Sequence, residues 1–312
     1  MAENTVKKIA TRESYGNSLK ELAEEFPNLV VLDADLAAAT KTGIFRKAYP
    51  DRHIDCGIAE ENMMGVAAGL SLVGKIPFVS SFAMFAAGRA FEQVRNSIGY
   101  PHLNVKIGAT HAGITVGEDG ATHQCNEDIA LMRTIPGMVV MCPSDDVEAR
   151  AAVRAALEYE GPVYIRFGRA AVPVINDHPG YHFEIGKGTV VREGKDVTIV
   201  ATGICVDSAL GAAKMLEAEG ISAEVVNICT IKPLDEEIIL NSAKKTGKVV
   251  TVEEHSVIGG LGSAVCDCLC AHYPVPVKKV GMQDVFGESG SAAALVEKYG
   301  LDAKGVYKSV KE

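Results

Sequence analysis

The sequence predicts an α/β protein built from two parallel-sheet domains, and three observations lead to this prediction. The chain has 312 residues, more than a single hydrophobic core usually needs. Short β-branched runs alternate with longer amphipathic stretches, which is typical of parallel strands joined by helices. This alternation lapses in a Pro-, Asn-, Asp- and Gly-rich segment after Arg169 and then resumes. We therefore predict a domain at residues 1–170, a linker at 171–189 and a second domain at 190–312.

Each strand is predicted from a short apolar or β-branched run, and each helix from an amphipathic stretch. In the first domain we predict strands at Leu29–Asp33, His53–Gly57, Pro77–Ser80, Val105–Gly108, Met138–Cys142 and Pro162–Arg166. Between them we predict helices at Ser14–Phe26, Glu60–Val73, Met84–Ile98 and Asp145–Tyr159, the last with Ser144 as its N-cap. In the second domain we predict strands at 196–202, 222–227, 248–253 and 276–281.

The composition is that of an ordinary globular protein. Hydrophobic residues make up 47% of the chain and charged residues 23%, and no window approaches the roughly 20 consecutive apolar residues of a membrane helix. The first residues lack the apolar core and cleavage site of a secretory signal, so we expect a cytoplasmic protein. The net charge of −9, without a run of Lys or Arg, argues against nucleic acid or an anionic membrane as partner.

The eight cysteines and the glycine-rich turns do not predict a metal or nucleotide site. Cys266, Cys268 and Cys270 form a tight cluster, but their alternate spacing differs from a CxxC zinc pattern, so we expect buried, inert thiols. No P-loop or dinucleotide fingerprint occurs. The GGLG sequence at 259–262 is interpreted as a tight entry into the following helix rather than a phosphate site.

The segment HIDCGIAEENMM, residues 53–64, places the acidic pair Glu60 and Glu61 at the start of a helix directly after an apolar strand. Carboxylates at this position suit the helix dipole, which is a purely structural interpretation. The functional interpretation is a buried general acid, because burial favours the protonated form of a carboxyl group near neutral pH.

Two further stretches carry chemistry-bearing residues. Phe82 and Phe85 lie three residues apart near a predicted helix start, where they suit either the core or stacking against a flat heterocycle. The glycine-rich loop after the strand at 105–108 holds His111, Asp119 and His123. Because α/β proteins bind ligands at the carboxyl ends of parallel strands, this loop predicts a polar ligand site, although a surface turn is the alternative.

A series of segments, in order and spacing, resembles the pyrimidine-binding and C-terminal domains of the transketolase family. They are KIATRESYG, DADLAAATKTGIF, HIDCGIAEENM, PFVSSFAMFAAGRAFEQVRNS, GEDGATHQ, VMCPSD, YIRFGR, TIKPLD and TVEEHSVIGGLGSAV. The resemblance covers nearly the whole chain, which makes it far more specific than a single motif.

The resemblance implies use of thiamine diphosphate. Glu60 then occupies the position of the carboxyl that protonates the aminopyrimidine N1′, and Phe85 stacks on this ring with Phe82 beside it. Asp35 is also expected near the cofactor. The cofactor supplies the electron sink for two-carbon transfer, and the protein supplies placement.

The same resemblance implies sugar phosphate substrates, such as xylulose 5-phosphate, and a place in the pentose phosphate pathway. His111, Asp119 and His123 correspond to groups that contact the donor hydroxyls, and the two histidines assist proton transfer. Arg12 and Arg169 correspond to residues that grip the sugar phosphate, a role suited to the planar guanidinium fork. Ala39 departs from the pattern, because family members often carry a phosphate-binding serine there.

One family feature is missing from the sequence. In this family the diphosphate and Mg²⁺ are bound by a separate domain, which carries GDG and an asparagine roughly 25 to 30 residues later. The similar string here, GEDG, has no asparagine at that distance. We therefore expect an N-terminal partner subunit that ligates Mg²⁺, an α2β2 assembly, and turnover only with this partner.

Three other interpretations are considered. The beta subunit of a 2-oxoacid dehydrogenase E1 component has similar length and domain order, but the GEDGATHQ loop and the two arginines suit phosphorylated sugars better. A 1-deoxyxylulose 5-phosphate synthase fragment is disfavoured because that family is normally one chain. A scaffold without activity would have no use for a buried Glu60.

His255, the one catalytic candidate of the second domain, is expected to be a packed or interface histidine.

Overall fold

The computed structural model describes residues 7–312, and the element bounds below refer to this range. The strands are β1 Lys8–Ala10, β2 Leu29–Asp33, β3 His53–Asp55, β4 Ile76–Phe82, β5 Lys106–Thr110, β6 Val139–Met141, β7 Val163–Arg166, β8 Ala171–Pro173, β9 Thr189–Arg192, β10 Val197–Ala201, β11 Ala223–Asn227, β12 Thr230–Lys232, β13 Val249–Ser256 and β14 Val277–Met282. The α-helices are α1 Thr11–Leu22, α2 Ala37–Thr40, α3 Gly43–Ala48, α4 Glu60–Leu72, α5 Phe91–Gln93, α6 Asp128–Arg133, α7 Asp146–Glu158, α8 Cys205–Glu217, α9 Glu236–Thr246, α10 Leu261–His272, α11 Ala292–Lys298 and α12 Ala303–Lys311. Short 3-10 turns occur at Pro50–Arg52 and Ile114–Asp119, and π-helical turns at Met84–Arg89 and Val94–Gly99.

The first sheet has seven strands in the order β12-β6-β7-β5-β4-β2-β3. All neighbours are parallel except β12, which runs antiparallel to β6. Strands β2 and β5 are buried along their full length, because helices cover both faces of the sheet. This arrangement aligns the carboxyl ends of β2, β4 and β5 on one edge, where the polar loops begin.

The second sheet has five strands in the order β14-β13-β10-β11-β9, with β9 antiparallel to β11. Strands β10, β11 and β13 are buried and rich in valine, as expected for the centre of a parallel sheet. The GGLG turn leads into α10 as predicted, with the backbone N–H groups of Leu261 and Gly262 donating to the Glu253 carboxylate. No helix within residues 7–312 combines the length and hydropathy required to span a lipid bilayer.

Most predicted elements are confirmed, and two details are wrong. The predicted helix over Met84–Ile98 is instead two π-helical turns around the short α5. Gly88 packs against Met84 Cε within the first of these turns. The N-cap of α7 is Asp145, which accepts from Glu148 N–H, rather than Ser144. The Ser144 hydroxyl instead donates to the Glu148 carboxylate.

The two halves of the chain are joined by more than a linker. β12, which follows β11 of the second sheet, forms an edge strand of the first sheet through pairs Thr230↔Met141 and Lys232↔Val140. β8, within the predicted linker, pairs with β1. We retain the domain boundaries as proposals, and residues 1–6 of the first domain lie outside the described range.

A buried carboxylate ties the first domain, the linker and the second domain together. Glu148 accepts hydrogen bonds from Ser144, from Asn227 at 2.8 Å and from Tyr181 at 3.3 Å. Burial raises the pKa of Glu148 to about 7, against the opposing effect of the hydrogen bonds from Ser144 and Asn227. The junction is therefore a polar network in which every segment contributes a donor.

Candidate functional site

The candidate site lies at the carboxyl edge of the first sheet, where several loops meet. Phe82 is the last residue of β4, and His111 directly follows β5. Glu60 opens α4, and Arg12 lies in the first turn of α1. Residues distant in sequence are therefore brought together by strand order, as expected for an open α/β sheet.

Glu60 is buried, with a relative exposure of 2%. Arg89 Nη1 donates to Glu60 Oε2 at 3.0 Å, and the Arg89 side chain itself is 48% exposed. Glu60 also lies at the N-terminus of α4, where a negative charge is favoured by the helix dipole. Glu60 is therefore buried and also begins a helix, and its role as a general acid stays a prediction.

An aromatic cluster lies beside this edge. Phe82 stacks on His111 with 3.8 Å between ring centroids and an interplanar angle of 24°. Phe82 and Phe85 are 6.0 Å apart, and the Phe85 ring meets His123 edge-on at 5.4 Å. Phe82 is buried, whereas Phe85 is partly exposed, so Phe85 offers ring surface to a ligand.

His111 is buried and held from both ring nitrogens. Arg12 Nη1 donates to His111 Nε2 at 2.9 Å, which assigns the ring proton to Nδ1, and Nδ1 lies 2.9 Å from Thr110 Oγ1. Burial, followed by the positive charges of Arg12, Arg169 and Lys41, lowers the pKa of His111 to about 3. His111 is therefore a neutral imidazole at physiological pH.

We expect His111 not to titrate between pH 5 and 8. Because its folded pKa lies below the ordinary 6.5, it contributes stability that is present above pH 6.5 and lost as the pH falls towards 3. A ¹⁵N-histidine titration of the chain, with His111→Gln to assign the resonance, measures this directly. A His111 midpoint near 6.5 would contradict the neutral assignment.

Three cations surround His111. Arg12 also donates to the Ala39 carbonyl at 3.0 Å, and Arg169 is bound to Glu118 at 2.7 Å and to the Val116 carbonyl. Lys41 adopts a left-handed backbone with φ of 72°, and its backbone and Cβ pack against Gly16 of α1 so closely that no Cβ fits there. Gly16 and Arg12 are one turn apart on α1, so Lys41 and Arg12 approach the same face.

Lys41, Arg89 and Asp33 did not follow from the sequence as site residues. Asp33 is buried at the end of β2 and accepts from Thr40 and Thr42 at 2.9 Å each, which fixes the loop that carries Lys41. The signal available in the sequence was the acidic residue at a strand end followed by two threonines. Burial raises the pKa of Asp33.

Two predicted site residues are exposed at the surface. Asp35 is exposed, and its backbone N–H donates to Asp55. Asp119 is exposed at the end of the 3-10 turn, and its carboxylate accepts no hydrogen bond from residues 7–312. The structure therefore groups Glu60, Phe82, Phe85, His111, His123, Arg12 and Arg169, and it leaves Asp35 and Asp119 at the surface.

A cavity near the site is lined partly by residues of the second domain. This cavity of about 610 Å³ adjoins the loop that carries His123, and its lining includes Met84, Thr122, Asn126, Ser256 and Phe286. Phe286 is 87% exposed, so an aromatic face of the second domain is open beside the first.

Two predictions for the second domain can be assessed. His255 is fully buried and accepts from Ala130 N–H at 3.3 Å, which confirms an interface histidine. The cysteine cluster is only partly as expected, because Cys268 is buried but Cys270 is exposed on the outer face of α10. Within the described range, no three His, Cys, Asp or Glu residues are placed to hold a metal ion.

Two family models match the chain. The model for the transketolase pyrimidine-binding domain matches residues 7–174, and the model for the transketolase C-terminal domain matches residues 186–306. The chain belongs to the transketolase family. The α/β fold and the two family domains predicted from the sequence are thereby confirmed.

Several transketolase relatives match nearly end to end. A putative transketolase C-terminal section from Methanocaldococcus jannaschii is 51% identical over 96% of this chain and 95% of the relative. A 6-deoxy-6-sulfo-D-fructose transketolase subunit from Clostridium sp. is 49% identical over 96% of this chain and 93% of the relative. A solved structure described as a split gene transketolase, inactive β4 tetramer, has 59% identity and a TM-score of 0.89, with 98% of each chain covered.

Proposed function

We propose that this chain is the C-terminal subunit of a split, thiamine diphosphate-dependent transketolase that transfers a two-carbon ketol unit between sugar substrates. The observation that carries the proposal is the pairing of a buried carboxylate, Glu60, with the partly exposed ring of Phe85 at one sheet edge. An aminopyrimidine needs both features, because a carboxyl holds its ring nitrogen while an aromatic face stacks on it.

The residues present fit the pyrimidine end of the cofactor. When bound, thiamine diphosphate supplies the electron sink that stabilises the two-carbon carbanion equivalent. Glu60 holds the proton on the ring nitrogen, and Phe85, backed by Phe82, supports the ring from one face. The histidines and the cationic side chains of the site orient the sugar.

The histidines and arginines bind the sugar in this proposal. Neutral His111, together with His123, hydrogen-bonds the donor hydroxyls near the reacting carbons, and His123 assists proton transfer. Arg12 and Arg169 bind the anionic end of the substrate, and Lys41 adds a third cation to this group. The Clostridium relative is named for a sulfosugar, and phosphate and sulfonate share the oxyanion that such a cluster recognises. We propose sugar phosphates, with xylulose 5-phosphate as the donor to test first.

The assembly is proposed to be α2β2. The relatives named as a C-terminal section and as a split gene product support an N-terminal partner with the diphosphate-binding domain. In this proposal the partner ligates Mg²⁺, and the complete cofactor site forms between the subunits.

The testing experiment is titration calorimetry with thiamine diphosphate and Mg²⁺ on the chain alone and after addition of the partner subunit. Binding and xylulose 5-phosphate turnover by the mixture alone are expected. Pyruvate is offered in parallel, because its use in preference to the sugar phosphate would favour an E1 component or a 1-deoxyxylulose 5-phosphate synthase. Tight binding and turnover by the lone chain would refute the split-enzyme proposal.

We expect Lys41→Met to raise the KM for a phosphorylated donor about tenfold, the effect of losing about 1.4 kcal/mol of charge-assisted binding, with kcat little changed. Hydroxypyruvate is a donor of a two-carbon unit that carries no phosphate. Its KM is expected not to change. Lys47→Met, at an exposed position of α3, is the matched control for the lost charge. Equal KM increases for both donors would show that Lys41 acts on the fold of the loop.

A further inference from the structure

Arg89 lies between the two groups that the proposed function assigns to the aminopyrimidine ring. Its Nη1 donates to Glu60 Oε2 at 3.0 Å. Its guanidinium carbon lies 4.6 Å from the centroid of the Phe85 ring, so the planar group covers that aromatic face. One flat, nitrogen-bearing group therefore satisfies the carboxylate and stacks on the ring at the same time.

A guanidinium and a protonated aminopyrimidine offer the same recognition elements. Both are planar, both present N–H donors to a carboxylate, and both have a face that packs on an aromatic ring. Glu60 is 2% exposed with Arg89 in place, so its carboxylate has almost no surface left for a second donor. The two groups therefore compete for one position.

Arg89 is the partner in this pair that can leave. Its side chain is 48% exposed, and within residues 7–312 its hydrogen bonding is to Glu60 alone. It ends the π-helical turn Met84–Arg89, and such turns are frequent at functional sites. Moving the guanidinium into water gives up one half-exposed ion pair and one stacking contact, both of which water and salt weaken.

We propose that Arg89 is a placeholder residue of the cofactor site: its guanidinium occupies the Glu60 and Phe85 contacts in the cofactor-free chain and must be displaced by the aminopyrimidine ring. This inference rests on the proposed function and deepens it. The placeholder keeps the buried Glu60 paired until the cofactor arrives, which avoids the cost of an uncompensated buried charge.

Displacement has a measurable cost in affinity. The apparent Kd equals the intrinsic Kd divided by the fraction of molecules in which Arg89 is out of the site, so a placeholder occupied at about 90% weakens binding about tenfold. Removing the guanidinium should recover this factor. The effect is expected in cofactor binding rather than in the transfer step.

The test is calorimetric titration of thiamine diphosphate, at fixed Mg²⁺, into the complex of this chain with its partner subunit. Arg89→Met is expected to lower the Kd about tenfold, and Arg89→Lys to give an intermediate value, because lysine keeps the charge without the planar fork. Arg95→Met is the matched control, since Arg95 is exposed on the following turn and bonds to its neighbour Asn96. Its Kd is expected to equal that of the unmodified complex.

An unchanged or higher Kd in Arg89→Met would overturn the placeholder role, and a higher value would make Arg89 a direct cofactor ligand. If Arg89→Met does not assemble with the partner subunit, the Kd of Arg89→Lys is compared with that of the unmodified complex. A lower Kd then supports the placeholder role, and an unchanged or higher Kd overturns it. Failure of the unmodified complex to bind cofactor at all would instead refute the proposed function, so the two failures are distinct.

Discussion

Replacing Glu60 with glutamine is expected to lower kcat for two-carbon transfer by about 100- to 10,000-fold, the usual contribution of a positioned acid or base. Glutamine keeps the size and a hydrogen-bonding oxygen of the side chain but cannot donate and recover a proton. Because Arg89 is half exposed, the variant leaves no buried unpaired charge, and the fold is expected to be intact. Initial rates with saturating cofactor, on the reconstituted complex, measure the effect.

The matched control is Glu61→Gln. Glu61 is the next residue on α4 and is exposed, so this variant removes the same charge from the same helix end without touching the buried site. Its kcat is expected to be close to that of the unmodified enzyme. Undiminished turnover in Glu60→Gln, with assembly confirmed by sedimentation, would remove Glu60 from the mechanism.

Asp128→Ala is expected to cost about 3–5 kcal/mol of unfolding free energy, the range for breaking a buried ion pair from one side. Both Asp128 oxygens accept from Arg166 Nε, at 3.1 and 2.9 Å, and Tyr164 donates to Asp128 at 2.8 Å. Arg166 is itself 5% exposed and also donates to the Glu254 carbonyl of the second domain. The substitution therefore removes the closest carboxylate from a buried cation at the contact between the domains and leaves Glu254 Oε2, 4.0 Å from Arg166 Nη1, as its remaining counter-charge.

Urea denaturation of the purified chain measures this loss as a lower midpoint. Glu25→Ala serves as the comparison, because Glu25 forms a bidentate pair with Arg154 on the exposed surface, with distances of 2.6 and 2.7 Å. That pair is solvated and screened, so little change is expected. Similar midpoints for the two variants would show that the Asp128 pair is not a stability determinant.

The fold was predictable because its signals are local and repeated. β2 was predicted at its observed bounds, since a short apolar run flanked by polar residues is typical of a buried strand. The short strands β1, β8, β9 and β12 were missed, because three or four residues carry little periodicity and their pairing partners are distant in sequence. The π-helical turns were missed because helical periodicity does not distinguish them from an α-helix.

The site was predictable where a motif specifies it and not where packing does. Glu60, Phe85 and His111 were identified from their segments, and they lie at one sheet edge. Arg89 and Lys41 were not identified, because an arginine on a helix and a lysine in a loop are common on any surface. Their significance comes from what folding places opposite them, a buried carboxylate for Arg89 and the Arg12 face of α1 for Lys41.

The crossing of β12 has a consequence for recombination between relatives. The strand lies between β11 and β13 in the chain, yet it completes the edge of the other sheet beside β6. If two parent genes were joined in the linker, strand β12 would come from one parent and the other six strands of the first sheet from the other. If they were joined after Lys232, the strands of the second sheet would come from both parents. No single exchange point separates the seven-stranded sheet from the five-stranded sheet, so chimeric genes should retain them as one inherited unit.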